Sequence, residues 1–319
     1  MTPSILIIGA TGNTGQSLTE ALPKLLKTSK TLSTHRVLVL TRNPSSSAAT
    51  KLSQIPNVEV LEKNWVEITP SWLRSYNVTR AFIASHNEPT QFAEESTFHT
   101  AALTAGVEYV VRVSTTAANV RPDCLAYYPR SHWAIEALLD SREFGGLKWS
   151  SLQPNIFSTM YLSAAAEFVR KHRDGEPQSS LRLLANEDAP VGIIDPADVG
   201  LVAARLLAED DVSSHDRARY VLNGPLDITG RQIVDMVEEY IGVKVENVCY
   251  KDLSFLEDLY DAKYAATNQS RNVIFSIKYA PDTAWEGKCS AETTSPEVLK
   301  LAAPKRTPAD VFRDLVEGL

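Results

Sequence analysis

Short apolar runs recur along the first half of the chain, and stretches with helical spacing separate them. Ser4–Ile8 is almost continuously apolar, the pattern of a strand buried on both faces. Arg36–Thr41 repeats it, 58–61 is a weaker version, and 80–84, Tyr109–Val113 and 147–152 follow. Helical patterns run from a glycine-rich turn after Ile8 to about Leu26, over 90–105 and over 129–139. Pro23 falls inside the first and is expected to kink or end it. Gly106 closes the second, as a left-handed residue past a helix end does. The polar stretch 27–35 reads as a loop. Strands alternating with helices predict right-handed βαβ units and therefore an α/β, doubly wound parallel sheet.

After Pro154 the pattern loosens. Residues 159–171 read as a helix and 191–194 as a short apolar run, followed by a helix from Pro196. Residues 219–222 read as a further strand. Thr229-Gly-Arg-Gln232 is a capping-box pattern opening a helix to about Tyr240, with Gly242 behind it. Thr307-Pro308-Ala-Asp310 opens another, with proline at the first helical position. Residues 265–300 show little periodicity and read as an irregular lid or insertion.

Composition narrows the function classes. At roughly 150 residues per domain, 319 residues make about two domains, or one α/β domain with a satellite. The 44% hydrophobic and 22% charged content is that of a globular chain. A net charge of −7 argues against sequence-independent binding to nucleic acid, which needs a basic footprint. Cys124, Cys249 and Cys289 are widely spaced, form no CxxC and suggest no metal site. An odd, sparse cysteine count fits a reducing compartment, and no signal-peptide pattern precedes the first strand. No apolar run approaches the ~20 residues of a membrane span, so the expected location is cytoplasmic, without a membrane partner.

The sharpest chemical signal is Gly9-Ala-Thr-Gly12-Asn-Thr-Gly15, between the first strand and the first helix. Glycines at this spacing permit a tight turn and a close approach of backbone N–H groups to a pyrophosphate, beside a helix N-terminus that favours anions. Gly15 removes a side chain where helix and strand pack closely. Thr11, Asn13 and Thr14 are candidate donors to the phosphates. At the end of the second strand, where an acidic residue would hold the ribose 2′-hydroxyl of NAD, stands Arg42. A planar guanidinium there suits a 2′-phosphate, so NADP(H) is the expected cofactor.

That turn, Arg42, the run Leu152-Gln-Pro154-Asn-Ile-Phe157 and the helix Ser131-His-Trp-Ala-Ile-Glu136 resemble the NmrA-like atypical short-chain dehydrogenases. This group includes isoflavone-reductase-like enzymes and fungal secondary-metabolite reductases such as the festuclavine dehydrogenases. The resemblance covers about residues 4–240. It implies an NADP(H)-binding Rossmann domain over 1–157 and a smaller, interleaved C-terminal substrate region over 158–319. Short-chain dehydrogenases usually carry a serine after the fifth strand and a Tyr-x-x-x-Lys pair on the next helix. Ser114 stands at the first place and Tyr128 at the tyrosine, but His132 occupies the lysine position. An imidazole titrates near neutrality, so His132 reads as a proton donor or relay beside Tyr128. The bland alternative is a histidine that merely bonds locally. Asn64 takes the place of a frequent adenine-contacting aspartate. His86 and Asn87 follow the fourth strand, and Asn155 follows the sixth, where strand ends line the ligand crevice. Met160, Tyr161, Phe168 and Trp285 are candidates for an aromatic pocket wall.

The reading that follows is an NADPH-dependent oxidoreductase acting on a hydrophobic small molecule, a secondary-metabolite intermediate by the resemblance. Two alternatives stay open. One is a non-catalytic NADP(H)-sensing regulator with a protein partner; the other is a redox-neutral isomerase, dehydratase or cyclase on the same scaffold.

Overall fold

The computed structural model describes residues 2–318. Its strands are β1 (Ser4–Ile8), β2 (Arg36–Thr41), β3 (Val58–Glu62), β4 (Val78–Ile83), β5 (Tyr109–Val113), β6 (Lys148–Pro154), β7 (Leu181–Arg182), β8 (Ala218–Leu222) and β9 (Val248–Cys249). Its helices are α1 (Asn13–Leu26), α2 (Ser47–Ser53), α3 (Pro70–Ser75), α4 (Gln91–Ala105), α5 (Tyr127–Leu139), α6 (Ser158–Arg173) and α7 (Pro196–Ala208). Beyond them come α8 (Gly230–Ile241), α9 (Phe255–Lys263), α10 (Arg271–Phe275), α11 (Asp282–Trp285), α12 (Pro296–Ala302) and α13 (Pro308–Glu317).

Seven parallel strands form the main sheet in the order β3-β2-β1-β4-β5-β6-β8. The strand order reverses between β1 and β4, and a crevice at such a switch point is where ligands bind in open α/β sheets. Leu18 and Leu22 of α1 and Val199 and Val202 of α7 bury one face of the sheet. Phe98 of α4 and Ile135 and Leu139 of α5 bury the other. A separate core under α6, α8 and α13, including Leu162, Ile233 and Phe312, supports the C-terminal part.

The two parts of the chain interleave. Strand β8 closes the main sheet from the C-terminal half, and α7 packs against α1. A Cβ on Gly200 would lie 2.1 Å from Ser17 Oγ and 2.3 Å from Thr14 O, so this helix pair needs a glycine to meet. The same packing explains Pro23. It lies buried inside α1, which runs on to Leu26, because tertiary contact outweighs the local cost of the proline.

After Arg42, Ser46 Oγ caps α2 by accepting from the Ala49 N–H. One further sequence expectation changes. Residues 265–300 are mostly short helices rather than irregular chain. Elements of four to seven residues are too brief to imprint a period on the sequence.

Candidate functional site

One cleft of about 780 Å³ runs along the carboxyl ends of the strands. It reaches from the glycine turn and Arg42, past the loops after β4 and β5, to α5, the start of α6 and the covering segment α9–α11.

The glycine turn builds one wall. Gly9 has φ +84°, and a Cβ there would lie 2.7 Å from Ala84 O, so both conformation and space require glycine. A Cβ on Gly15 would lie 2.2 Å from Gly9 O. Gly15 therefore lets α1 sit against the turn; it is not itself in the cleft wall. Gly12 caps α1 without a side-chain bond, and α1 begins its internal ladder with Gln16 N–H to Gly12 O. The N–H groups of Asn13, Thr14 and Gly15 find no acceptor among the described residues. Thr11, Gly12, Asn13 and Thr14 all border the cleft. These donors at a helix start fit a pyrophosphate.

Arg42, exposed and without an ion-pair partner among the described residues, borders the same end. Lys63 joins it from the end of β3, held in place as its own N–H donates to Thr41 O. Sequence reasoning passed over Lys63 and Trp65, although both flank Asn64. Alternation along the chain was the available signal: Lys63 and Trp65 face the cleft, and Asn64 between them is exposed and outside it. Asn64, expected at the adenine, does not border this cleft. His86 borders the cleft with its ring 5.8 Å from that of Trp65. Its Nδ1 accepts from the Glu88 N–H, so its Nε2–H donates to Glu94 Oε2 at 2.5 Å. Both ring nitrogens are used, leaving His86 a ring face to offer.

The middle of the cleft holds the hydroxyls. Ser114 Oγ is buried, borders the cleft and has no hydrogen-bond partner among the described residues. Tyr127 and Tyr128 both reach the wall, but their phenols differ. Tyr127 donates to Asn87 O at 2.5 Å. Tyr128 instead lies beside the Thr115 side chain; burial pushes its phenol up to about 12, outweighing the hydrogen bond with Thr115, which lowers it.

His132 is the residue read from the sequence as a proton donor or relay. It borders the cleft but is only 2% exposed. Burial, and then the Arg112 guanidinium, depress its imidazole to about 3, against a weaker opposite pull from Glu95. Burial and Arg112 both favour the neutral ring. Arg112, fully buried in β5, donates through Nη2 to His132 Nδ1 at 2.8 Å. Its Nε donates to Glu95 at 2.7 Å and its Nη1 to Glu136 and Ser151. A charged residue inside an apolar strand was the sequence signal for this cluster. Asn155 borders the cleft. Its Nδ2 donates to Gly192 O and Cys289 O and its Oδ1 accepts from the Ile156 N–H, so the amide ties protein segments together.

The far end is apolar. Phe157, Met160, Leu184, Phe255, Leu259 and Ile277 border it. Tyr161 and Phe168 belong to the C-terminal core instead, and Trp285 donates from its indole to Leu184 O. Among the described residues no group of histidine, cysteine or acidic side chains could hold a metal ion, and no helix is long and apolar enough to cross a membrane.

Known proteins share this fold. The quinone oxidoreductase of Escherichia coli, described as NADPH-dependent and solved with NADPH, superimposes with a TM-score of 0.70 at 21% identity, covering 98% of this chain and 99% of its own. NmrA, described as a negative transcriptional regulator, superimposes at 0.67 and 16% identity, covering 99% and 95%. At these identities the two show the fold. A (4-alkanoyl-5-oxo-2,5-dihydrofuran-3-yl)methyl phosphate reductase of Streptomyces griseus is 26% identical over 239 residues, 75% of this chain and 74% of its own. The family model described as NmrA-like matches residues 1–280, which span the glycine turn, the switch-point crevice and most of the covering segment. The chain belongs to the NmrA-like family.

Proposed function

We propose that the protein is an NADPH-dependent reductase of a hydrophobic, electrophilic small molecule. The carrying observation is the polarity of one continuous cleft. Free helix N–H groups and two cations lie at one end, the hydroxyls of Tyr128 and of Ser114, the latter unpartnered among the described residues, in the middle, and an apolar wall at the other. Gly9, Thr11, Gly12, Asn13 and Thr14 would hold the pyrophosphate, and Arg42 with Lys63 the 2′-phosphate. When bound, the reduced dinucleotide supplies a hydride to an electrophilic carbon of the substrate. Tyr128, neutral throughout the ordinary pH range, donates a proton or hydrogen bond to the oxygen or nitrogen that becomes electron-rich, and Ser114 Oγ adds a second donor. Phe157, Met160 and Phe255 exclude water and seat an apolar, planar substrate. The reductase relative in Streptomyces and the quinone reductase of the same fold support this class of chemistry.

The test is titration with NADPH and NADH, followed by NADPH consumption with quinones and other conjugated carbonyl compounds as acceptors. Preference for NADPH with turnover supports the reading, and binding of neither nucleotide overturns it. The replacement of the family lysine by the neutral His132 favours a second reading, a dinucleotide-binding regulator. That reading predicts NADPH binding with no turnover of any acceptor.

A further inference from the structure

The cluster behind α5 fixes a hydrogen atom. An arginine guanidinium can only donate, so the Arg112 Nη2 contact makes His132 Nδ1 an acceptor. A neutral imidazole then carries its proton on Nε2. Nε2 lies 3.0 Å from the side chain of Asn87, which must present oxygen to it. The carboxamide of Asn87 is thereby oriented by logic rather than by choice: Oδ1 faces His132, and the Nδ2 hydrogens face elsewhere. Gln91 Nε2 lies 3.3 Å from both ring nitrogens, a position over the ring face, and leaves this assignment unchanged. Asn87 is held from a second side, where its carbonyl accepts from Tyr127. It is exposed, it borders the cleft, and Nδ2 has no partner among the described residues.

Every group facing His132 holds this state. Arg112 from β5 blocks protonation of Nδ1. Glu95 from α4 accepts from Arg112 Nε, Ser85 Oγ and His99 Nε2. Burial opposes that carboxylate, but Arg112 and then His99 keep it well below its usual range, so it does not draw a proton toward His132. Glu136, one turn further along α5, accepts from Arg112, Ser151, Gln153 and Arg219. Burial lowers His99, against the pull of Glu95.

We propose that Asn87 is the hydrogen-bond donor to the ribose hydroxyls next to the nicotinamide, and that His132 is its positioning residue, clamped by Arg112. The placement follows from topology and rests on the cofactor reading above. Pyrophosphate at the end of β1, with the 2′-phosphate toward β2 and β3, leaves the other riboside over β4 and β5. Asn87 follows β4. A lysine ammonium is replaced there by a neutral donor of the same reach, built from two residues of different elements.

Two measurements test this. The first is side-chain ¹⁵N spectroscopy of the unliganded protein, with the His132 signal assigned by its loss in His132→Gln. The expected signal is an Nε2–H tautomer with no titration between about pH 5 and 8. A titrating ring, or an Nδ1–H tautomer, overturns the relay whatever the protein binds. The second compares NADPH with adenosine 2′,5′-bisphosphate, which lacks the nicotinamide riboside. Asn87→Ala is expected to weaken NADPH about tenfold and to leave the bisphosphate unchanged. His132→Leu is expected to follow Asn87→Ala. His132→Gln, which can still accept from Arg112 and donate to Asn87, is expected to restore most of the affinity. Equal weakening of both ligands, or none, overturns the proposal. Failure of the wild type to bind either ligand instead removes the cofactor reading, and the spectrum still decides the relay.

Discussion

The Tyr264 hydroxyl donates to Glu88 Oε2 at 2.8 Å, joining the covering segment to the loop after β4. The Lys263 ammonium pairs with the other oxygen of the same carboxylate. Tyr264 and Ile274 pack with Tyr127 in a small apolar cluster of their own. The roof of the cleft is thus fastened at this carboxylate, one residue beyond Asn87, and further along where Ser276 Oγ accepts from the Tyr127 N–H and Asn119 Nδ2 donates to Ala280 O.

Glu88→Gln should loosen this roof without unfolding the protein. The pair is partly exposed, so the global cost should stay within about 1 kcal/mol. Hydrogen exchange should speed up over 255–281 and stay unchanged in β4, β5 and α5. The pH dependence has a definite sign. Burial pulls the Glu88 carboxyl up, but hydrogen bonds from Lys263 and Tyr264 outweigh it and hold the group below its usual range. A depressed folded value means the fastening is complete above about pH 4 and lost as pH falls through the folded value. Exchange rates over 255–281 that rise between pH 5 and 8, beyond the intrinsic chemistry, would contradict this.

Gly12→Val should abolish tight NADPH binding. A Cβ on Gly12 would already stand 3.2 Å from Gly9 O, and the branches beyond it would enter the cleft where the helix N–H groups open. Fluorescence titration should show at least a ~10-fold loss while the melting profile stays close to wild type. Gly9 is the wrong site for this test, because its φ of +84° makes any substitution a folding defect as well.

Arg42→Ala and Lys63→Ala separate the two nicotinamide cofactors. Each removes one charge-assisted contact worth about 1.5–3 kcal/mol at full strength, less for exposed side chains. NADPH affinity should fall about tenfold for Arg42→Ala and less for Lys63→Ala, with NADH affinity nearly unchanged. Parallel losses for both nucleotides would place the cations elsewhere on the ligand.

How much of this was legible in the chain depends on how the information is spread. The glycine turn is contiguous, and its meaning is set by a strand before it and a helix after it, so residues 4–26 read nearly as they fold. Arg42 needs only the end of one strand. The state of His132 is different. It depends on Arg112 from β5, Asn87 from a loop and Glu95 from α4, brought together by the sheet order. Spacing within α5 gave the position of His132 and nothing about its charge. The roof was illegible for another reason: short helical pieces carry no period, and their contacts with Glu88 span about 175 residues.

Tyr128→Phe should lower turnover about 10²–10⁴-fold once an acceptor is found, with NADPH affinity unchanged. Tyr127→Phe should behave otherwise. It frees the Asn87 carbonyl and should act on NADPH affinity first. The turnover profile should also be flat. A phenol near 12 and an imidazole near 3 both titrate outside the working range. An acid limb near neutrality would return His132 to the chemistry.

Arg112 offers the last test, because its three nitrogens serve three different elements. Arg112→Lys keeps the charge but cannot reach Glu95, Glu136 and His132 together. It should cost about 1.5–3 kcal/mol in denaturant unfolding. Arg112→Met also removes the charge and leaves Glu95 buried without compensation, which should cost about 3–5 kcal/mol. The order matters more than either value. In Arg112→Lys the ring stays buried beside a positive charge and should remain neutral, but without a fixed donor at Nδ1 its proton should divide between Nδ1 and Nε2 while the protein stays folded. If the two variants cost the same and the Nε2–H tautomer persists, packing rather than charge holds the cluster, and the orientation of Asn87 needs another cause.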